Sequence, residues 1–451
     1  MNSSKRLRVL ICAGLPLLMT GVITHAAETS DSVPEPLTLD YALALADEAH
    51  PDIGLAQASL DMAAAQQLQA QSNDDLSVSL DARVRLVDPS PVLADKRTDD
   101  HHLGVYVQKR LYDFGYQSAL EDVAIKELEG HQHTYLITRQ QRRLDIMRRY
   151  FDVVTADLEF FRYNEEMAVA FIAFDRTRDR KKIGQASDFD VLEKEREYQR
   201  IRHLRFRSQN EQRRTRALLA IVMNRPGKLA NTVSVPKLSM LEDKLPEYET
   251  IIADIQKVNP QLKAMQSRLD AALARVEMAR NSDNPVIKAE FEAHQYSRVL
   301  GSSDIWRAGI KLEMPLYDGD RSKASLARAQ AELYRTRMQY EDLSQAVKQQ
   351  ALELWLELDG LRSKRDEMHA LNSFRELYLD RSRAYYELEL KTDLGDAMVR
   401  VTEAQREAAL VDFRIALAWG KLDALLGRLP ALNRDAWKET QQTNSDAGES
   451  L

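Results

Sequence analysis

Two hydrophobic periods take turns along this chain. From Leu144, apolar side chains recur at Met147, Phe151, Val154, Leu158 and Phe161, in steps of three and four. From Ala397 the same spacing runs through Val401, Ala404, Ala408, Val411, Ile415, Ala418, Leu422 and Leu425. A third seam joins Tyr340, Leu343, Val347, Ala351, Leu354, Leu358 and Leu361. Alternating steps of three and four keep one apolar stripe on a helix and predict helices that supercoil against neighbours. No proline falls between residues 92 and 225 or between 316 and 429. An interior proline costs a helix about 3 kcal/mol, so these stretches permit very long helices. Residues 116–182 are predicted as one helix of roughly 100 Å at ~1.5 Å per residue, followed by a helix over 188–224. In the second half the prediction is helices within 246–282, 321–390 and 396–427.

The second period is two. In 76–87, Leu76, Val78, Leu80, Ala82, Val84 and Leu86 alternate with Ser77, Ser79, Asp81, Arg83 and Arg85. In 286–296, Ile287, Ala289, Phe291 and Ala293 alternate with Lys288, Glu290, Glu292 and His294. In 305–315, Trp306, Ala308, Ile310, Leu312 and Met314 alternate with Arg307, Gly309, Lys311 and Glu313. Residues 103–111 are a weaker fourth case. Such segments are predicted as strands with one polar and one apolar face. At ~10 residues each they match a tilted transmembrane β-strand, and the full charges on the polar face suit a wet lumen. A soluble amphipathic hairpin is the competing reading. Four strands close no barrel and lipid tolerates no open sheet edge, so membrane-spanning strands require several subunits sharing one barrel. Three subunits would supply twelve strands; the sequence requires only more than one.

The pattern also repeats. Tyr112-Asp113 in "KRLYDFG" corresponds to Tyr317-Asp318 in "MPLYDGD", 205 residues later, and Pro51 to Pro260, 209 later. Asp190 in "GQASDFDVLEKE" corresponds to Asp396 in "KTDLGDAMVRVT". Landmarks in one order at nearly constant offset indicate an internal duplication, with a first repeat over 27–230 and a second over 231–430. Each repeat reads helix, strand, loop, strand, very long helix, tight turn, long helix.

Composition narrows the class. Glycine and proline number 16 and 13 among 451 residues, with 29% charged and 44% hydrophobic residues. That argues against collagen-like, low-complexity and short-stranded all-β chains. Lys5, Arg6 and Arg8 precede an apolar run from Val9 to Thr24. Residues 1–26 therefore read as a signal peptide removed after Ala26 or Ala27. Cys12, the only cysteine, lies inside it. Ile11 stands before Cys12 where a lipidation signal wants a small residue, so lipid attachment is the weaker reading. The mature chain would hold no thiol and carry a net charge of −10, which disfavours nucleic-acid binding. After residue 26 no apolar run is long enough for a transmembrane helix. The polar tail, 431–451, is expected to be disordered.

The opening "LTLDYALALADEAHPDI", the doubled "LYD" after a strand, the "IGQASDFDVLEKE" turn and the closing "ALAWGKLDALLG" resemble the outer membrane efflux protein family, the TolC-like exit ducts of Gram-negative bacteria. The resemblance covers about residues 37–429. It implies a mainly α fold with transmembrane β-strands: a homotrimer whose twelve-stranded β-barrel sits in the outer membrane. Below it, antiparallel coiled-coil helices would form a periplasmic α-barrel. It also implies a passive duct for small molecules or proteins, docked through a periplasmic adaptor (membrane fusion) protein onto an inner-membrane pump, in a tripartite efflux or type I secretion system. No cofactor and no catalytic residue follow from it.

On this reading Arg83, Arg85, Lys288, Glu290, Glu292, Lys311 and Glu313 face the barrel lumen. The loops "VDPSPVLADKRTDD" and "SRVLGSSD" face outside. The turns near Gly184–Asp190 and Lys391–Asp396 are the periplasmic tips, with Asp396, Asp393, Asp190 and Asp188 as entrance candidates. Asp396 matches the family's acidic ring; a plain N-cap of the last helix is the competing role. The sequence departs from the family pattern at Val399, where a second acidic residue is expected, and at Leu390, where a glycine is usual. Trp306, Tyr106, Tyr112, Tyr296 and Tyr317 suit interfacial aromatic belts, with packing between barrel and helices as the competing role for several of them.

Other constellations carry less. Arg196, Arg200, Arg202, Arg205, Arg207, Arg213, Arg214 and Arg216 read as a solvated helix face paired with Glu193, Glu195, Glu197 and Glu211. His101-His102 and His131-x-His133 are read as ordinary surface histidines rather than metal ligands. No Ser-His-Asp, HExxH or phosphate-loop pattern occurs. A soluble periplasmic coiled-coil adaptor or scaffold is the alternative function, separable from a duct because it would not need detergent for extraction.

Overall fold

The computed structural model describes residues 33–431, apart from 49, 91, 93–95, 229, 298–303 and 389–392. The expected signal peptide with Cys12, the expected disordered tail from residue 432, and parts of the strand-connecting loops and of the second helical turn lie outside the described residues. The first repeat runs α1 (Leu39–Ala44), α2 (Pro51–Ser72), β1 (Ser77–Arg83), β2 (His102–Tyr112), α3 (Tyr116–Lys182) and α4 (Asp188–Val222). The second runs α5 (Tyr248–Val258), α6 (Pro260–Arg280), β3 (Val286–Tyr296), β4 (Trp306–Glu313), α7 (Arg321–Glu387) and α8 (Leu394–Leu425).

The duplication is metric. Both α3 and α7 have 67 residues, and their starts differ by 205. The starts of α2 and α6 differ by 209. The offset therefore changes between the strands, in the hairpin loops, and the long helices keep their length. The split between α5 and α6 falls at Asn259-Pro260. Proline lacks the N–H and sits at the first helical position, while the Asn259 carboxamide oxygen accepts from the N–H groups of Gln261 and Leu262, both at 3.0 Å.

The doubled "LYD" has a structural reason. The Asp113 carboxylate accepts from the N–H of Gln117 at 2.9 Å, and that of Asp318 from the N–H of Ser322 at 2.7 Å. Each aspartate thus satisfies an orphan donor where a sheet hands the chain to a 67-residue helix. Both joints need two consecutive left-handed residues. Phe114 and Gly115 supply them in one repeat, Gly319 and Asp320 in the other, so each repeat puts its glycine at a different one of the two places. Losing the cap in Asp113→Ala is expected to cost about 1 kcal/mol, read as a lowered denaturant midpoint of the detergent-solubilised protein. The N–H of Ser322, above all, holds the Asp318 carboxyl below the usual carboxylate range. A lowered folded pKa means its capping is complete at neutral pH and is lost as pH falls below that range. Asp318→Ala should therefore lower the midpoint at pH 7 and leave it little changed in strong acid; an equal loss at both would refute the cap.

The α3–α4 and α7–α8 hairpins pack side by side, and α3 also meets α2, α6 and α8. The main apolar core lies where α1 and the segment 230–245 wrap the long helices. There Tyr150 is fully buried and its hydroxyl, with one hydrogen to donate, lies 2.7 Å from the carbonyl oxygen of Ser234 and 2.9 Å from that of Leu37. Phe151 stacks on Phe413 at 4.6 Å between ring centroids, joining the two repeats.

Candidate functional site

Two regions concentrate chemistry: one face of the sheet, and the ends of the helical hairpins. The strands form one antiparallel sheet in the order β1-β2-β3-β4. Because side chains alternate along a strand, register decides which residues share a face. Arg83 lies opposite His102, Glu292 opposite Tyr106 and Arg307, Glu290 opposite Gln108 and Gly309, and Lys288 opposite Arg110 and Lys311. The structure thus brings Arg83, Lys288, Glu290, Glu292, Lys311 and Glu313 onto one polar face. Lys288 and Lys311 both reach Glu313, at 2.8 and 2.6 Å. The opposite face carries Val78, Leu80, Leu103, Val105, Val107, Ile287, Ala289, Phe291, Trp306 and Ile310, with Lys109 opposite Ala289 and Gln295 opposite Leu103 as its polar members. Ile310 is 75% exposed and Leu80 68%, so this face has no cover among the described residues.

Three expectations need correction here. Tyr106 and Tyr296 belong to the polar face, where they pack on His294 and His102, because their positions share parity with Glu292 and His294. They form no part of an outward belt; Trp306 does lie on the apolar face, opposite Ala293. Strand β1 ends at Arg83 rather than at residue 87. Beyond it the chain curls into its own loop ladder, with Val87 N–H donating to Thr98 and Asp100 N–H to Arg85. Arg85 therefore leaves the sheet and pairs with Asp100 at 2.9 Å.

The helical tips differ from each other. At the α3–α4 tip Gly184 adopts φ 74°. Ser187 and Asp190 then build a reciprocal capping box. The N–H of Ser187, then its hydroxyl, hold the Asp190 carboxyl below the usual carboxylate range. Asp188 pairs with Lys181 across the turn. At the α7–α8 tip the N-cap position belongs to Asp393, not Asp396. Asp393 accepts from the Tyr378 hydroxyl at 3.1 Å, and among the described residues its other oxygen is buried without a partner. Asp396 is the third helical residue, as Asp190 is in α4, so the two are structural equivalents. It lies exposed, 3.9 Å from Arg400. Val399 is buried and offers no second outward position. The first turn of α8 lies close on α3: a Cβ on Gly395 would meet Val169 at 2.8 Å.

The arginines of α4 divide. Arg200 and Arg214 pair with Glu197 and Glu211 three residues earlier. Arg216 instead reaches α3, gripping both oxygens of Asp157 at 2.6 and 2.8 Å, and Arg205 donates to Asn164 of α3 at 3.0 Å. These cross-helix links carry no helical spacing and were illegible in the sequence. Among the described residues no three His, Cys, Asp or Glu converge as a metal would need, and no helix is long and apolar enough to cross a membrane.

Comparison with known proteins gives three results. Residues 251–428 match the family model described as "Outer membrane efflux protein". Protein CyaE of Bordetella pertussis is 26% identical over 268 residues, 57% of this chain and 56% of that protein. The match thus spans little more than half of that relative's length. The fold is similar to that of the Campylobacter jejuni CmeC outer membrane channel (TM-score 0.74, 14% identity, 90% of this chain and 88% of that one). It is also similar to the open state of the Neisseria gonorrhoeae MtrE outer membrane channel (TM-score 0.68, 16% identity, 88% of this chain and 90% of that one).

Proposed function

We propose that the chain belongs to the outer membrane efflux protein family, whose model matches its residues 251–428, and that it is a passive export duct in the outer membrane of a Gram-negative bacterium, extending into the periplasm. The observation that carries the reading is the sheet. It has a charged face, a mainly apolar face interrupted by Lys109 and, among the described residues, two unpaired edges, on β1 and β4. Lipid would solvate the apolar face and water the charged one, but neither edge can stay open in hydrocarbon. Pairing β1 of one copy with β4 of the next closes the sheet, and three copies make twelve strands. Arg83, Lys288, Glu290, Glu292, Lys311 and Glu313 then line the lumen and set its ion preference.

Below the sheet, the hairpins of three copies enclose a tunnel, and their tips meet the adaptor of a tripartite efflux pump or a type I secretion system. Exposed Phe189 and Leu388 at the two tips give such a partner apolar anchors. Threefold symmetry sets Asp396 of each copy around the entrance, a like-charge ring that attracts cations. Asp188, Asp190 and Asp393 are engaged in tip contacts and serve to shape the turns. No bond is made or broken in this function, so no cofactor or catalytic residue enters it.

Planar-bilayer recording of detergent-purified protein tests the reading. Discrete, long-lived channels are expected, blocked by divalent cations from the tip side, with the block lost in Asp396→Ala. Protein that stays soluble without detergent and forms no channel would instead make it a periplasmic coiled-coil scaffold.

A further inference from the structure

At the loop end of the sheet, four side chains from three strands form one hydrogen-bonded line. Asp81 of β1 lies 3.3 Å from Nδ1 of His102 on β2. Nε2 of His102 lies 3.1 Å from Nδ1 of His294 on β3. Nε2 of His294 lies 3.1 Å from Glu292. Both imidazoles are enclosed, with side-chain exposures of 10% and 4%. Tyr296 packs on both rings and Tyr106 on His294. Gly104 makes the room: a Cβ there would come within 2.8 Å of His294 and 2.9 Å of His102.

Proton counting gives the line a property its members lack singly. An ionised carboxylate only accepts, so Nδ1 of His102 and Nε2 of His294 must each carry a hydrogen. Two neutral rings would then face each other with two lone pairs at 3.1 Å and no hydrogen between them. One further proton turns that contact into a hydrogen bond. A second would set two N–H groups head to head and break it. Two nitrogens also fall short of a metal's usual ligand set, and among the described residues no third group completes one.

We propose that Asp81, His102, His294 and Glu292 form a proton-binding site at the outer mouth, holding one shared proton between the two imidazoles and releasing the β2–β3 side-chain link when acid adds a second. The location at an outer mouth rests on the duct reading; the proton count does not. Among the described residues, the other charges facing the site are Arg83, which pairs with Asp81 at 2.9 Å, and Arg307, opposite Glu292 and paired with Asp304 at 2.8 Å. With one shared proton these groups balance to neutrality. The second proton, taken from water, leaves each mouth one charge more positive, three per trimer.

Two measurements test this. Nitrogen NMR of histidine-labelled protein in micelles should show His102 and His294 titrating as a coupled pair in two separated steps. His294→Gln should return His102 to a single step. Independent single-step titration of both rings in the wild type overturns the proposal. In planar bilayers, acidifying the outer side through the histidine range should shift permeability toward anions by about two-fold or more. The shift should vanish in His102→Gln and His294→Gln and persist in His131→Gln, which lies on α3. A shift that survives both substitutions also overturns it. Absence of channels from every variant would count against the duct alone, since the NMR titration reads the site without one.

Discussion

Ile310→Arg is expected to abolish insertion of the chain into bilayers, while Ser79→Arg is tolerated. Ile310 projects from the bare apolar face opposite Ala289, and Ser79 projects from the polar face opposite Tyr106. An arginine facing lipid at mid-depth costs a barrel about 2–4 kcal/mol. A threefold barrel meets that cost three times, so the penalty reaches roughly 6–12 kcal/mol, the size of a whole protein's stability. The same side chain on the wet face keeps its hydration and joins charges already there. Refolding yield into lipid vesicles, read by protease protection, compares the two directly. Equal insertion of both variants would mean that the apolar face meets protein rather than lipid, and the soluble-scaffold reading would gain what the duct loses.

Gly395→Val should spring the α7–α8 tip away from α3. The second residue of α8 approaches α3 so closely that a Cβ would lie 2.8 and 3.1 Å from the two methyls of Val169. Val169 cannot swing aside, because a β-branched side chain in a helix has one strongly preferred rotamer. The backbone must yield, carrying Asp393 and Asp396 with it. Overpacking of this kind costs about 1–3 kcal/mol, drawn from contacts that hold the tip inward. If Asp396 forms the proposed entrance ring, channel conductance should rise several-fold and block by divalent cations should weaken, since its three carboxylates would move apart. Val169→Ala restores the space and should return conductance toward wild type in the double variant. A coupling below about 0.5 kcal/mol between the two sites would show that they do not touch in the working state.

Much of this architecture was legible before any coordinates. Alternation in 286–296 and 305–315 assigns residues to two faces without knowledge of pairing, because a strand has only two. The seams from Leu144 and Ala397 mark helix faces for the same reason. What the sequence withheld is what depends on partners far along the chain. His102 and His294 stand 192 residues apart, and no local period announces that register makes them neighbours. Arg216 resembled its neighbours in an arginine-rich helix, yet it alone grips Asp157 with both arms of its guanidinium. Tyr106 and Tyr296 misled because aromatic residues near strand ends suit both a lipid interface and a packed lumen, and only parity separates the two. Local capping also set the fate of Asp396: helix α8 begins at Leu394, three residues before its apolar seam starts at Ala397, which moved the cap to Asp393.

The matched 67-residue helices behave as paired struts between two surfaces. An insertion in one strut alone would leave its tip standing proud of the other and skew the rim. Lengthening is therefore tolerable only in both repeats together, and in whole heptads if each seam is to keep its heading. The hairpin loops at the opposite end face no such gauge, and they already differ, spanning 84–101 in one repeat and 297–305 in the other. The molecule has one calibrated end and one free end: the length of its paired long helices is held equal, while the loops at the other end can be rewritten.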